Sequence, residues 1–183
     1  TSRSRFGLEI MTVPPHHPET VLAALGHSLT PTEALNLAIA AAESSRGCTT
    51  TPNPPVGAVI LDSAGYVRGI GATQPPGGPH AEIQALRMAG KHTVGGTAVV
   101  TLEPCNKWGR TGPCSHALAA AGISHLYYAV ADETSFKGGA QYLSKQGIHC
   151  VQFDSARQKQ VKAEGLGAWL HKQKTGHPRV TVK

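Results

Sequence analysis

Residues 56–62, VGAVILD, are apolar almost without interruption, with no alternation of polar and apolar positions. A strand of that kind hides side chains on both faces, so it needs a layer of structure on each side of its sheet. The prolines at 52, 54 and 55 cannot serve in a central strand, which places its start at Val56. Ser63-Ala64-Gly65 reads as a turn and YVRGIGA (66–72) as a second strand, together a hairpin. The pattern then becomes an alternation. A helix runs from near His80 to Gly90, and strands cover 96–103, 125–132 and 148–154. Between and after them come helices at about 113–122, 138–146 and 155–172, the last carrying Trp169 into the core. Upstream, TPTE (30–33) has a helix-start pattern, with Thr30 as N-cap, Pro31 at the first position and Glu33 closing a capping box. That helix is expected to reach about Arg46. The fold class predicted is α/β: a three-layer α/β/α sandwich around a mixed, mostly parallel five-stranded sheet.

The formal charge of +6 raises the question of nucleic acid. Nine of the 17 Lys/Arg and only two of the 11 acids lie in 1–10 and 157–183, so the body between is slightly acidic. A chain that tracks a phosphate backbone carries its positive charge across its body, which argues against nucleic acid. No apolar run approaches the roughly 18 residues of a membrane span, and no secretory signal pattern is present, so a cytoplasmic location is expected. Residues 1–10 read as a vector-derived tail and 11–29 as a loose lead-in. The globular unit is expected over 30–172, with 173–183 a linker or the start of a further domain.

The four cysteines are Cys48, Cys105, Cys114 and Cys150. In a chain of this size without a secretory signal, metal or catalytic use suits the close pair better than a disulfide. Three fragments carry the chemistry: PHAE (79–82), EPC (103–105) and GPC (112–114), each at a strand-to-helix or loop-to-helix junction. Such junctions gather at the carboxyl ends of strands, where open α/β sheets bind ligands. Two thiolates and one imidazole suit one Zn²⁺. With His80, Cys105 and Cys114 as ligands, a fourth position stays open for water, the arrangement of a catalytic zinc site. Glu82, in the first turn after His80, can reach the same point and move a proton. H-x-E followed by P-C and a further Cys is the signature of zinc deaminases, although the cysteine spacing here is C-x8-C rather than C-x-x-C. Cys48 and Cys150 read as plain buried thiols, and Glu103 as a supporting carboxylate.

TPNPPVGAVI, GGPHAEIQAL, VVTLEPCNKWGRTGPC and LAAAGISHLYYAVAD together resemble a known family over about residues 31–172. It is the deaminase domain of the bacterial bifunctional riboflavin-biosynthesis deaminase/reductase (RibD/RibG), of the cytidine-deaminase-like superfamily. The resemblance implies that fold, Zn²⁺ as cofactor, and hydrolytic deamination of 2,5-diamino-6-(5-phosphoribosylamino)pyrimidin-4(3H)-one. It makes His80, Cys105 and Cys114 the ligands and Glu82 the proton carrier. Asn53 would contact the pyrimidine edge, and Lys107 and Arg110 the substrate at the rim. A homo-oligomer is implied, with a reductase domain in the same or another chain; TGHPRVTVK (175–183) resembles the opening of that reductase. The chain departs from the family pattern at Thr73, Lys107, Gly112 and DETS (132–135), where His, His, Pro and Asp-Pro-Asn-Pro are common. Two other readings stand beside this one: a deaminase of another free base, a nucleoside or tRNA, and a catalytically silent zinc module that partners a reductase.

Overall fold

The computed structural model describes residues 18–44, 53–109, 111–166 and 169–170. Five strands form one sheet: β1 (Gly57–Leu61), β2 (Val67–Ala72), β3 (Thr97–Leu102), β4 (His125–Val130) and β5 (His149–Gln152), in the order β2-β1-β3-β4-β5. The helices are α1 (Pro18–Leu22), α2 (Pro31–Ser44), α3 (Ala81–Ala89), α4 (Cys114–Ala120), α5 (Gly139–Lys145) and α6 (Ser155–Val161). Every residue of β1 is buried, as its unbroken apolar sequence requires. The layer on one face is α2 with α6, joined by a hydrogen bond from Gln160 to Asn36. The layer on the other face is α3, α4 and α5.

The sheet is mixed, as expected, with two antiparallel and two parallel pairings. β1 pairs antiparallel with both β2 and β3, while β3–β4 and β4–β5 are parallel. The hairpin explains this. It turns β2 back against β1, and the crossover through α3 then carries the chain over β1 to lay β3 on its other side. Four strands therefore share one direction and β1 alone is reversed. The carboxyl ends of β2 to β5 and the amino end of β1 meet at one edge. At the opposite edge, Asp62 receives the N–H groups of Ala64 and Tyr66 (3.0 Å each) and the Arg68 guanidinium (2.8 Å), closing the hairpin turn.

The expected capping box forms: Thr30 N–H donates to Glu33 Oε1 at 3.1 Å, and Glu33 N–H to Thr30 Oγ1 at 3.2 Å. Residues 18–29 are not a loose lead-in. They hold α1, bury Val21, Ala24 and Leu29, and pair Ser28 with Tyr66 at the start of the edge strand β2. Apolar side chains in that stretch found a groove that a local reading does not contain. The last helix is not α-helical throughout. α6 ends at Val161 and passes into a π turn over Lys162–Leu166, where glycine at 165 weakens the α-helical preference. Among the described residues, no helix is long and apolar enough to cross a membrane. The tail at 1–10, Cys48 and the segment 173–183 lie outside the described residues.

Candidate active site

His80 is the N-cap of α3, with extended backbone (φ −64°, ψ 159°). The helix behind it lies close on β2 because β2 is glycine-rich on that face. A Cβ at Gly71 would strike the Ala81 carbonyl oxygen, and one at Gly69 the Ala85 carbonyl oxygen. Gln84 adds a bond by accepting the Ala72 N–H at 2.8 Å. Cys105 follows β3, and Cys114 is the first residue of α4. The two are locked together: the Cys114 N–H donates to Cys105 Sγ at 3.3 Å, and the Ser115 N–H to the Cys105 carbonyl at 3.2 Å.

The three donor atoms converge. His80 Nδ1 lies 3.7 Å from Cys105 Sγ and 3.3 Å from Cys114 Sγ. All three lie within 4.8 Å of one another, and they are the one such group of three or more among the described residues. Tetrahedral Zn²⁺ with usual bond lengths separates a nitrogen and a sulfur ligand by about 3.6 Å, so the observed distances bracket the requirement. The electrostatics agree. The hydrogen bond with Cys114 pulls the Cys105 thiol down to about 4, with His80 assisting against the opposing effect of burial. The same pairing, with burial, holds Cys114 protonated, while the hydrogen bond to Cys105 raises His80. A cluster already carrying one thiolate favours a divalent cation, which displaces the second thiol proton.

Glu82 is only 5% exposed, and its carboxyl is pushed up to about 7, first by burial and then by the charge on Cys105. A carboxyl so placed can both accept and return a proton near neutral pH. It lines a cavity of about 630 Å³ at the edge where the strands end. His80, Cys105, Asn53 and Thr73 share that wall.

Lys107 does not line the cavity. It is exposed, with Nζ 5.3 Å above the ring of Phe136, a wall residue, so it stands at the mouth. Arg110 lies outside the described residues. Between the cysteines, Asn106 Oδ1 accepts the Ser115 hydroxyl at 2.7 Å. The Asn106 N–H donates to the Phe136 carbonyl at 2.8 Å. Trp108 is 70% exposed, edge-on to His116, which stacks on Tyr142. Glu103 uses both oxygens to accept backbone N–H groups, from Asp132 (2.9 Å) and Ala140 (3.1 Å), and so supports the cavity wall.

Two parts of the site were not placed from the sequence, where DETS (132–135) stood only as a departure from the family pattern. The loop 131–136 forms the wall beyond β4. Its place after a strand's carboxyl end was the available signal. Trp169, expected in the core, is half-buried and lines the cavity.

The chain belongs to the cytidine and deoxycytidylate deaminase family: the family model of its zinc-binding region matches residues 30–130. Among the relatives it matches are proteins of RibD type. It is 49% identical over 152 residues to the riboflavin biosynthesis protein RibD of Mycobacterium tuberculosis, across 82% of this chain and 44% of that protein. It is 43% identical over 132 residues to the diaminohydroxyphosphoribosylamino-pyrimidine deaminase of Buchnera aphidicola, across 71% of this chain and 87% of that protein. A solved structure from Thermotoga maritima, a diaminohydroxyphosphoribosylaminopyrimidine deaminase/5-amino-6-(5-phosphoribosylamino)uracil reductase, superposes with a TM-score of 0.73. Its identity is 30%, over 81% of this chain and 42% of that one. The chain thus spans less than half the length of the RibD proteins it matches.

Proposed function

We propose that this chain is a zinc-dependent pyrimidine deaminase of riboflavin biosynthesis. It would hydrolyse the 2-amino group of 2,5-diamino-6-(5-phosphoribosylamino)pyrimidin-4(3H)-one. Water adds to the ring carbon, the C–NH₂ bond breaks, ammonia leaves, and the 5-aminouracil derivative remains. The observation that carries the reading is Glu82, a buried carboxyl with a raised pKa, facing the same cavity as His80 and Cys105. Zn²⁺ held by His80, Cys105 and Cys114 supplies the Lewis acidity that makes a water reactive near neutral pH. Glu82 then takes a proton as the water attacks and gives it to the departing nitrogen. Asn53, whose amide both donates and accepts, holds the pyrimidine edge. Lys107 at the mouth, with Arg110, takes the phosphoribosyl arm.

The names of the Buchnera and Thermotoga proteins support this choice of substrate. The Thermotoga name also joins the deaminase to a uracil reductase, so we assign the product to a reductase in the same or another chain. The test is ammonia release by zinc-loaded protein against a panel: this pyrimidine, its dephosphorylated form, cytidine, deoxycytidylate, guanine and tRNA. Turnover confined to the diaminopyrimidine pair is expected. Preference for any other member would overturn the substrate assignment, and silence on all of them would overturn the activity.

A further inference from the structure

Thr73 follows β2, lines the cavity and is 5% exposed, yet its hydroxyl is committed to the protein rather than to the open space. Oγ1 donates to the Pro54 carbonyl at 2.8 Å and accepts the Val56 N–H at 2.9 Å. The Thr73 N–H donates to the Val56 carbonyl at 2.9 Å. Three bonds from one residue thus fasten 54–56, the entry to β1, to the end of its hairpin partner.

That segment has unusual mechanics. Neither Pro54 nor Pro55 has an N–H, so no backbone donor between Asn53 and Val56 can anchor it. Both prolines have φ locked, and a residue before a proline is confined to extended backbone. Asn53 therefore sits at the end of a short stiff rod, and the rod is fixed at Pro54 and Val56 by Thr73. Asn53 lines the same cavity as Glu82 and His80.

We infer that Thr73 is a positioning residue for substrate recognition: its buried hydroxyl clamps the Pro-Pro rod and thereby holds Asn53 at the reacting end of the cavity. The inference rests on the reading of Asn53 as the pyrimidine contact and deepens it, because it makes specificity depend on a side chain that does not itself touch substrate.

The experiment is a double-mutant cycle on zinc-loaded full-length protein with the diaminopyrimidine substrate. Thr73→Val and Thr73→Ser are made with and without Asn53→Ala. Substrate Kd is measured in a Glu82→Gln background, where turnover does not interfere, and kcat, KM and zinc per chain otherwise. Thr73→Val is expected to raise Kd and KM about three- to tenfold, with kcat and zinc content within twofold of the parent. Thr73→Ser should restore the parent values. In the Asn53→Ala background, Thr73→Val should have little further effect, because residues acting through one contact are not additive. Should Thr73→Val be too unstable to purify, Thr73→Ala in the same cycle reads the same coupling. Additive losses, loss of zinc or kcat together with KM, or failure of serine to rescue would overturn the inference. Absence of both binding and turnover in the unsubstituted protein would overturn the functional reading, and this inference with it.

Discussion

In the proposed mechanism Glu82 does two jobs with one carboxyl, and its surroundings suit both. Burial raises its pKa toward the middle of the working range, where a proton can be held or released at little cost. Glu82→Gln keeps the shape and removes the proton chemistry. It should retain zinc and lose about 10²–10⁴-fold in turnover, checked by ammonia release alongside metal analysis. Near-normal turnover would remove Glu82 from the mechanism. For Cys114→Ser, a weaker oxygen donor replaces the buried thiol of the proposed three-ligand set. Zinc per chain after dialysis should fall well below that of the parent protein, and full occupancy would show that Cys114 is not a ligand. The four residues converging on this point were readable in the sequence because each is fixed by a local requirement: a donor type, a helix start, a spacing. Thr73 was readable only as a departure from a pattern. Its role depends on Pro54 and Val56, which lie 17 to 19 residues away and are brought to it by the hairpin.

At the level of elements, the cavity wall hangs on one carboxylate and one glycine. Glu103 binds the loop after β4 at Asp132 and the start of α5 at Ala140, so a single side chain spans three elements. An amide at that position can face only one of the two N–H groups with an acceptor. Glu103→Gln should therefore cost about 1–3 kcal/mol, read as a lowered midpoint in denaturant with unchanged slope. An unchanged midpoint would show that the loop holds without it. Gly139 plays the complementary part, since a Cβ there would meet the Pro104 carbonyl oxygen. Gly139→Ala should push the segment bearing Cys105 away from α5, weakening zinc affinity as well as stability; a competition titration with a chelator measures the first. The elements themselves were legible from period and punctuation, α2 down to its capping box. Pairing was not, because strand direction across the sheet depends on the path of the crossover. Nothing in the residues of β3 states that it lies against β1 rather than β2. The burial of Val21, Ala24 and Leu29 was hidden for a related reason: only the assembled molecule offers these apolar side chains a groove.

For the whole molecule, metal and fold should be linked. A cation that binds only the folded state adds stability in proportion to the logarithm of its concentration. At free zinc a thousandfold above Kd that is about 4 kcal/mol, or roughly 10 °C in Tm for a domain of this size. Stripping zinc with a chelator should lower Tm by that order and restoring it should reverse the loss; a Tm indifferent to both would mean that the cluster holds no metal. The chain's two tryptophans bear on how such experiments can be followed. Trp169 forms part of the cavity wall, and the exposed Trp108 lies on the segment between the two cysteines. With excitation at the red edge, where tyrosine does not absorb, emission from the unlabelled protein therefore comes from the cavity wall and from the loop between the cysteines. A ligand that fills the cavity should quench or shift the Trp169 band, metal exchange should act on Trp108, and Trp108→Phe would separate the two. The protein carries its own optical probe of occupancy.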